Sequence, residues 1–349
     1  MFLELAVDSI EPLTDDAVAV TFAVPAELRE AYDFAPGQSL VLRRTVDGVE
    51  QRRNYSICAA AGSAPRVGVR EVPDGLFSTW LVHDLRPGDR VEVGTPTGVF
   101  VPDLTTSGHH VLVAAGSGIT PMLSIAASVL RDPASTVTLL YGNRRSDTVM
   151  FADELADLKD RYPERLDLVH VLSREPREVE LFSGRLDAAR LTALLAILPP
   201  PQRVAGWWLC GPYGMVTDAM SVLDGARVPR GRVHTELFYV EEAPPEQARH
   251  EDLPVDGASS EVTVVLDGRS TTVAVARTVP VLDGAQRARP DLPFACKGGV
   301  CGTCRARVTD GEVRMRRNFA LEQSELDAGF VLTCQSLPVT DRVTVDYDA

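Results

Sequence analysis

The sequence predicts a multidomain protein: an antiparallel β-barrel, then a doubly wound α/β domain, then, beyond an acidic linker, a small α+β domain. Three observations predict it. Short strand-like runs separated by turn residues fill residues 1–106, continuous apolar runs alternate with helical stretches over 107–239, and residues 240–260 break the pattern before a new β-rich unit over 261–349. A chain of 349 residues suits two or three domains of ordinary size. With 45% hydrophobic and 24% charged residues it has material for real cores.

In the first segment the runs 17–22, 39–42 and 90–93 read as strands, and Pro36-Gly37-Gln38 and Pro87-Gly88-Asp89 read as the turns between them. From His110 the pattern changes. Residues 110–115 form an unbroken apolar run, as a strand buried on both faces does, and lead through a Gly-rich turn into a helical stretch over 121–130. The strand-like runs 136–141, 167–172 and 206–210, with a helical stretch over 151–162, continue the alternation. Strands alternating with helices predict a parallel, doubly wound sheet. Residues 241–260 hold six carboxylates, one arginine and three prolines, too little apolar surface for a core, and self-repulsion would keep them extended. Residues 261–268 then open the last unit.

The formal charge of −14 argues against nucleic acid or an anionic membrane as a partner and suits docking onto a basic patch of another protein. No apolar run approaches the ~20 residues that span a bilayer. The first eight residues carry two acids and no basic n-region, so no export signal is read and a cytoplasmic location is expected. Thiols stay reduced there. Six cysteines then point to metal or catalysis rather than disulfides.

Four of them crowd the last sixth of the chain. Cys296-x4-Cys301-x2-Cys304, with Cys334 after 29 intervening residues, has the spacing of plant-type [2Fe–2S] ligation. Three thiolates from one tight loop need glycines where the chain crowds the inorganic core, and Gly298, Gly299 and Gly302 supply them. A four-thiolate zinc site would instead show two short cysteine pairs. Cys58 reads as a small buried hydrophobe. The histidines show no ligand spacing, so no catalytic histidine is assigned.

Arg53-Asn54-Tyr55-Ser56 at a strand end, preceded by Pro36-Gly37-Gln38 and followed by Gly75-Leu76-Phe77-Ser78 and Gly98-Val99-Phe100, resembles the flavin half of the ferredoxin–NADP reductase family. Gly116-Ser117-Gly118-Ile119-Thr120-Pro121, between a buried strand and a helix, places glycines where a pyrophosphate meets a helix N-terminus. Together with Cys210-Gly211-Pro212-Tyr213-Gly214-Met215 it resembles the same family's nicotinamide half. The resemblance covers the whole chain. It implies an FAD-binding barrel using Arg53, Tyr55, Ser56, Gly75 and Ser78, and a nucleotide domain using Gly116, Gly118, Pro121, Gly211, Pro212 and Met215. It also implies a β-grasp ferredoxin domain at the C-terminus. Thr120 would lie near the hydride transfer, Cys210 beside nicotinamide and flavin, and Glu236 would return a carboxylate to the flavin. The chain continues past the family's closing E-x-F segment, here Glu236-Leu237-Phe238, and so lacks the C-terminal aromatic that caps the flavin in the plant members; Phe238 is the candidate to cover the ring. Ser173 and Arg174 resemble a 2′-phosphate site, with Arg144 and Arg145 either joining it or standing as solvated surface residues, so NADPH is the expected co-substrate.

Residues 296–301, 315–321 and 329–335 resemble the reductase subunits of bacterial phenylacetyl-CoA epoxidases. That implies electron flow from NADPH to FAD to [2Fe–2S] to a di-iron oxygenase component that epoxidises the ring of phenylacetyl-CoA. The alternatives are an NADH-dependent reductase of another multicomponent oxygenase, of ketosteroid hydroxylase or FMN-using phthalate dioxygenase type, and a non-catalytic redox-sensing or electron-transfer module.

Overall fold

The structure, a computed structural model, describes residues 2–46, 48–73, 75–238 and 258–349. It divides into two compact units, Met1–Tyr239 and Val240–Ala349. Of the stretch read as a linker, residues 240–257 lie outside the described residues.

In the first unit, β1 (Phe2–Thr14), β2 (Ala17–Ala23), β3 (Ser39–Val46), β4 (Val49–Ser56), β5 (Arg66–Arg70) and β6 (Arg90–Gly94) form a sheet in the order β4-β3-β6-β1-β2-β5. All its pairs are antiparallel. An Ile57–Val67 bridge brings the end of β4 to β5, so the sheet curls toward closure. Alternate residues turn inward along each strand. Val20 and Phe22, Leu40 and Leu42, Val67 and Val69, and Val91 and Val93 are all at most 2% exposed. Each such side chain contributes roughly 1.5–3 kcal/mol by leaving water. Gly37 turns the chain into β3 at φ +90°, and a Cβ there would stand 2.0 Å from the Phe100 carbonyl oxygen. No other residue fits.

The same unit continues through α1 (Leu76–Thr79) into a parallel sheet of β7 (His109–Ala115), β8 (Thr136–Asn143), β9 (Leu166–Leu172), β10 (Gly206–Gly211) and β11 (Val233–Leu237). Its helices are α2 (Ile119–Val129), α3 (Ala152–Arg161), α4 (Ala188–Leu195) and α5 (Tyr213–Gly225). The order β11-β10-β7-β8-β9 means that the chain steps outward from β7 to β9 and then returns to β7's other side. The crevice at such a reversal is where doubly wound sheets bind ligands. Several contacts fasten the barrel to this half. Arg66 on β5 forms a two-pronged ion pair with Glu154 on α3, both contacts at 2.8 Å. Ser124 on α2 donates to the Ala59 carbonyl at 2.6 Å.

The second unit holds β12 (Ser259–Leu266), β13 (Arg269–Ala276), α6 (Val281–Ala285), β14 (Arg305–Asp310), β15 (Val313–Met315), α7 (Gln323–Asp327), β16 (Phe330–Leu332), β17 (Ser336–Pro338) and β18 (Arg342–Asp346). Five strands form a mixed sheet, β13-β12-β18-β14-β16, in which β12 and β18 run parallel. β15 and β17 pair separately. α6 packs on β13 through Gly284, where a Cβ would meet Val275 at 2.5 Å. Val262, Val264, Leu332, Val343 and Val345 fill the core at no more than 1% exposure. Among the described residues no helix is long and apolar enough to cross a membrane.

Candidate functional site

At the reversal point the loop after β7 meets the loop after β10. A Cβ on Gly118 would stand 2.2 Å from the Cys210 carbonyl oxygen, so glycine is what lets the two loops touch. Gly116, at φ +57°, turns the chain out of β7, and its carbonyl accepts the Tyr141 hydroxyl at 3.0 Å. Thr120 opens α2 with its hydroxyl on the Ser117 carbonyl at 3.0 Å, and Pro121, which has no N–H to satisfy, follows it. Gly211 packs against Met215 at the start of α5, and the exposed Pro212 caps that helix.

Cys210 and Glu236 face each other in the β10–β11 register. Ser56 at the end of β4 donates to Glu236 Oε2 at 2.9 Å. The barrel, β10 and β11 therefore converge on one group of side chains. Loss of water raises the Glu236 carboxyl to about 7, against the opposing pull of the Ser56 hydroxyl. Burial, with the Glu236 carboxylate next to it, pushes the fully buried Cys210 thiol well up, so it stays neutral.

The flavin-motif residues flank this group. Tyr55 stands 6.3 Å from Phe77, and Phe77 meets Trp80 edge-on at 5.6 Å, an aromatic wall on the barrel. Arg53 holds the Arg52 carbonyl at 2.7 Å with one guanidinium nitrogen. The Asn54 side-chain oxygen is buried with no protein partner, an acceptor suited to a ring N–H donor. Ser78 is engaged within its own loop. Its hydroxyl accepts from the Val72 N–H at 3.0 Å and donates to the Gly75 carbonyl at 3.3 Å, so it closes its own loop. Phe238 follows β11 and is 39% exposed, available to cover a bound ring. The orphaned Asn54 oxygen, the aromatic wall and the Ser56–Glu236 pair fit a flavin.

The 2′-phosphate candidates form a group of their own at the ends of β8 and β9, two and three strands away from Cys210 in the sheet order. The Ser173 N–H donates to the Asn143 carbonyl at 2.9 Å and the Arg174 N–H to the Arg144 carbonyl at 2.8 Å. Arg144, Arg145 and Arg174 are exposed, and Arg145 pairs with Asp147 at 3.0 Å. The motifs did not reveal Glu175, whose carboxylate accepts from both the N–H and the hydroxyl of Ser146, at 2.8 and 2.9 Å. Arg70 was missed as well. It lies on β5, outside every motif, yet a Cβ on Gly116 would come within 3.4 Å of its guanidinium, while its other end holds the Thr148 carbonyl at 2.7 Å. Only strand pairing reveals it.

In the second unit, Cys296 receives N–H donors from Gly298 (3.3 Å) and Cys301 (3.4 Å) on its sulfur. Lys297, Gly299 and Gly302 take positive φ, which folds the loop around its thiols. The thiols stand in two hydrogen-bonded pairs, Cys296 with Cys301 and Cys304 with Cys334. In each pair that bond is the chief reason one member, Cys296 or Cys334, is shifted toward thiolate. Three thiols on one glycine-rich loop, joined by Cys334 from a distant turn, fit a plant-type two-iron cluster better than a zinc site built from two short cysteine knuckles. Cys58, at 2% exposure with its thiol on the Arg66 carbonyl, is core.

Three family models match this chain. They are an oxidoreductase FAD-binding domain over residues 4–101, an oxidoreductase NAD-binding domain over 112–221, and a 2Fe-2S iron-sulfur cluster binding domain over 264–339. The chain is 42% identical to one of the subunits of the 1,2-phenylacetyl-CoA epoxidase of Escherichia coli, across 100% of this chain and 98% of that one. It is 37% identical to the ferredoxin reductase component of 3-ketosteroid-9-alpha-monooxygenase of Mycobacterium tuberculosis, across 99% and 96% of the two chains. Phthalate dioxygenase reductase shares the fold with a TM-score of 0.60 at 24% identity, covering 99% of this chain and 98% of the other.

Proposed function

Because this chain belongs to the family of ferredoxin reductases that join FAD-binding, nicotinamide-nucleotide-binding and [2Fe–2S] domains, we propose that it is the NADPH-dependent reductase component of a di-iron oxygenase that forms the ring 1,2-epoxide of phenylacetyl-CoA. The observation that carries this reading is the full-length likeness to the Escherichia coli epoxidase chain. The domain limits 1–106, 107–239 and 261–349, and a cytoplasmic setting in which thiols stay reduced, belong to the same proposal.

A flavin bound here would supply the exchange between two-electron hydride chemistry and the one-electron chemistry of a [2Fe–2S] cluster. Arg53, Tyr55 and Ser56 hold the flavin, and Gly75 lets the following turn approach it. Ser78, whose hydroxyl steadies that turn, belongs to the same flavin site. Gly116, Gly118 and the start of α2 at Thr120 and Pro121 cradle the nucleotide pyrophosphate, with Arg70 as its counter-charge. Gly211, Pro212 and Met215 form the facing wall. Cys210, a neutral buried thiol, excludes water from the space where the rings meet. Glu236, with a pKa near neutrality, holds or releases a proton beside the Ser56 hydroxyl. Cys296, Cys301, Cys304 and Cys334 hold the irons.

Ser173 and Arg174, with Arg144 and Arg145 nearby, support NADPH. Glu175 favours a second reading, NADH, because a carboxylate there suits a ribose diol. The likeness to the ketosteroid reductase favours a second class of acceptor. Reconstituted protein, NADPH and a purified phenylacetyl-CoA-epoxidising di-iron oxygenase should together turn over phenylacetyl-CoA. Reduced nucleotide that drives a ketosteroid oxygenase but not this one would refute the acceptor.

A further inference from the structure

Charge is divided unevenly along this chain. Residues 258–349 hold 11 basic and 12 acidic residues, a net of −1, against −14 for the whole. Within that unit several basic side chains are paired: Arg277 with Asp341, Arg289 with Asp291, Lys297 with Asp283, Arg305 with Glu325 and Arg342 with Glu261. Five exposed arginines of this unit, Arg269, Arg287, Arg307, Arg314 and Arg316, have no ion pair among the described residues; what sets Arg314 and Arg316 apart, with the exposed Arg317, is where they stand.

These three arginines lie on the strip of chain that borders the thiol site. Arg314 is on β15, opposite Leu337, and Met315 is opposite Ser336, two residues past Cys334. The Arg316 N–H donates to the Gln335 carbonyl at 2.9 Å. The Gln335 side chain in turn reaches Cys334 Sγ at 3.5 Å and the Lys297 carbonyl at 2.8 Å. At the far end of the strip, the Phe319 N–H donates to the Gly299 carbonyl at 3.0 Å. The strip is thus hydrogen-bonded both to the loop carrying Cys296 and Cys301 and to the turn carrying Cys334. Scattered surface arginines are ordinarily just solvated. Here three fall within four positions, beside the place where electrons leave the chain.

We propose that Arg314, Arg316 and Arg317 form the docking rim for the electron-accepting protein, whose matching face is acidic. The inference rests on the reading that a separate protein draws electrons from the iron–sulfur site. It reverses what the whole-chain charge suggests, since an overall charge of −14 would favour a basic docking face. Electron-transfer encounters bury little area, so local charge governs how often the partners meet in a productive orientation. The step itself moves one electron from the reduced cluster to the acceptor's metal site. No bond forms or breaks, and the nucleotide supplies the electron through the flavin.

The test is the charge-reversed double variant R314E/R316E as reconstituted full-length protein. Flavin reduction by NADPH and the cluster's paramagnetic signal should match wild type. Reduction of the purified di-iron oxygenase, and the affinity of the complex by surface plasmon resonance, should fall by about tenfold or more at low salt. The two proteins should converge near 1 M salt, where screening acts within about 3 Å. Equal rates and affinities at every salt concentration would overturn the proposal. A second arm needs no knowledge of the acceptor: oxidation of the dithionite-reduced cluster, followed at its own signal, by anionic ferricyanide and by cationic tris(phenanthroline)cobalt(III). The rim predicts that the variant reacts more slowly with the anion and faster with the cation, and identical rates would overturn it. If the di-iron oxygenase is not reduced even by wild type while the small oxidants discriminate, the named acceptor is wrong and the rim stands.

Discussion

Three of the four thiols at the iron–sulfur site come from nine consecutive residues, Cys296 to Cys304, whereas the Ser56–Glu236 hydrogen bond joins residues 180 positions apart. The first site is shaped by its own backbone, through positive φ at Lys297, Gly299 and Gly302 and N–H groups aimed at sulfur. The second exists only because a barrel strand, β10 and β11 are held against one another, with the Arg66–Glu154 pair and the close Gly118–Cys210 approach fixing their packing. Damage to the loop site should stay within it. Damage to the assembled site should spread through the packing that makes it.

Cys334→Ser should have the largest effect and the narrowest. Iron content and the cluster's visible absorption disappear, while NADPH oxidation by an artificial two-electron acceptor is retained. Loss of that activity as well would erase the contrast between the two sites. Gly118→Ala should come next. Its Cβ would stand 2.2 Å from the Cys210 carbonyl oxygen. Overpacking of this kind destabilises by about 1–3 kcal/mol or more. The first unit's melting temperature and flavin reduction by NADPH should both fall, with iron content unchanged.

Glu236 supplies a test through pH. Its carboxyl is raised from 4.5 to about 7 in the fold, so the native state binds the proton more tightly than the unfolded chain does. This group's contribution is most favourable below pH 4.5, declines as pH rises from 4.5 to 7 and is flat above. Glu236→Gln should remove a loss of at most about 3 kcal/mol across that window, visible as a flatter dependence of the urea midpoint on pH. A slope equal to wild type would mean that the carboxylate is solvated. Arg174→Ala should have the smallest effect, raising KM for NADPH by about tenfold, a loss of ~1.4 kcal/mol, and for NADH far less. Equal changes would remove the phosphate assignment and favour the ribose-binding role of Glu175.

The same contrast explains what could be read from the chain alone. The cysteine loop was legible because its ligands and glycines are contiguous and their spacing is chemical. The strand–glycine–helix passage from His110 to Pro121 was legible because buried parallel strands form unbroken apolar runs. Arg70 was not, since strand pairing brings it to its place and it sits in no motif; Glu175 stands beside Arg174 in the chain, but its hold on Ser146 depends on the pairing of β8 with β9. Ser78 shows the complementary limit. Its motif position implied a ligand contact, and the structure adds what the motif could not give, that its hydroxyl ties Val72 to Gly75. The arginine strip was not singled out in the sequence, because only the Arg316–Gln335 and Phe319–Gly299 hydrogen bonds place it beside the thiols.

The most direct test asks whether the flavin is the obligatory link between nucleotide and iron. Iron-loaded protein stripped of flavin should be mixed anaerobically with NADPH and the cluster followed by electron paramagnetic resonance. The account predicts no reduced-cluster signal until FAD is restored, although dithionite reduces the cluster at once. A cluster reduced by NADPH without flavin would contradict it.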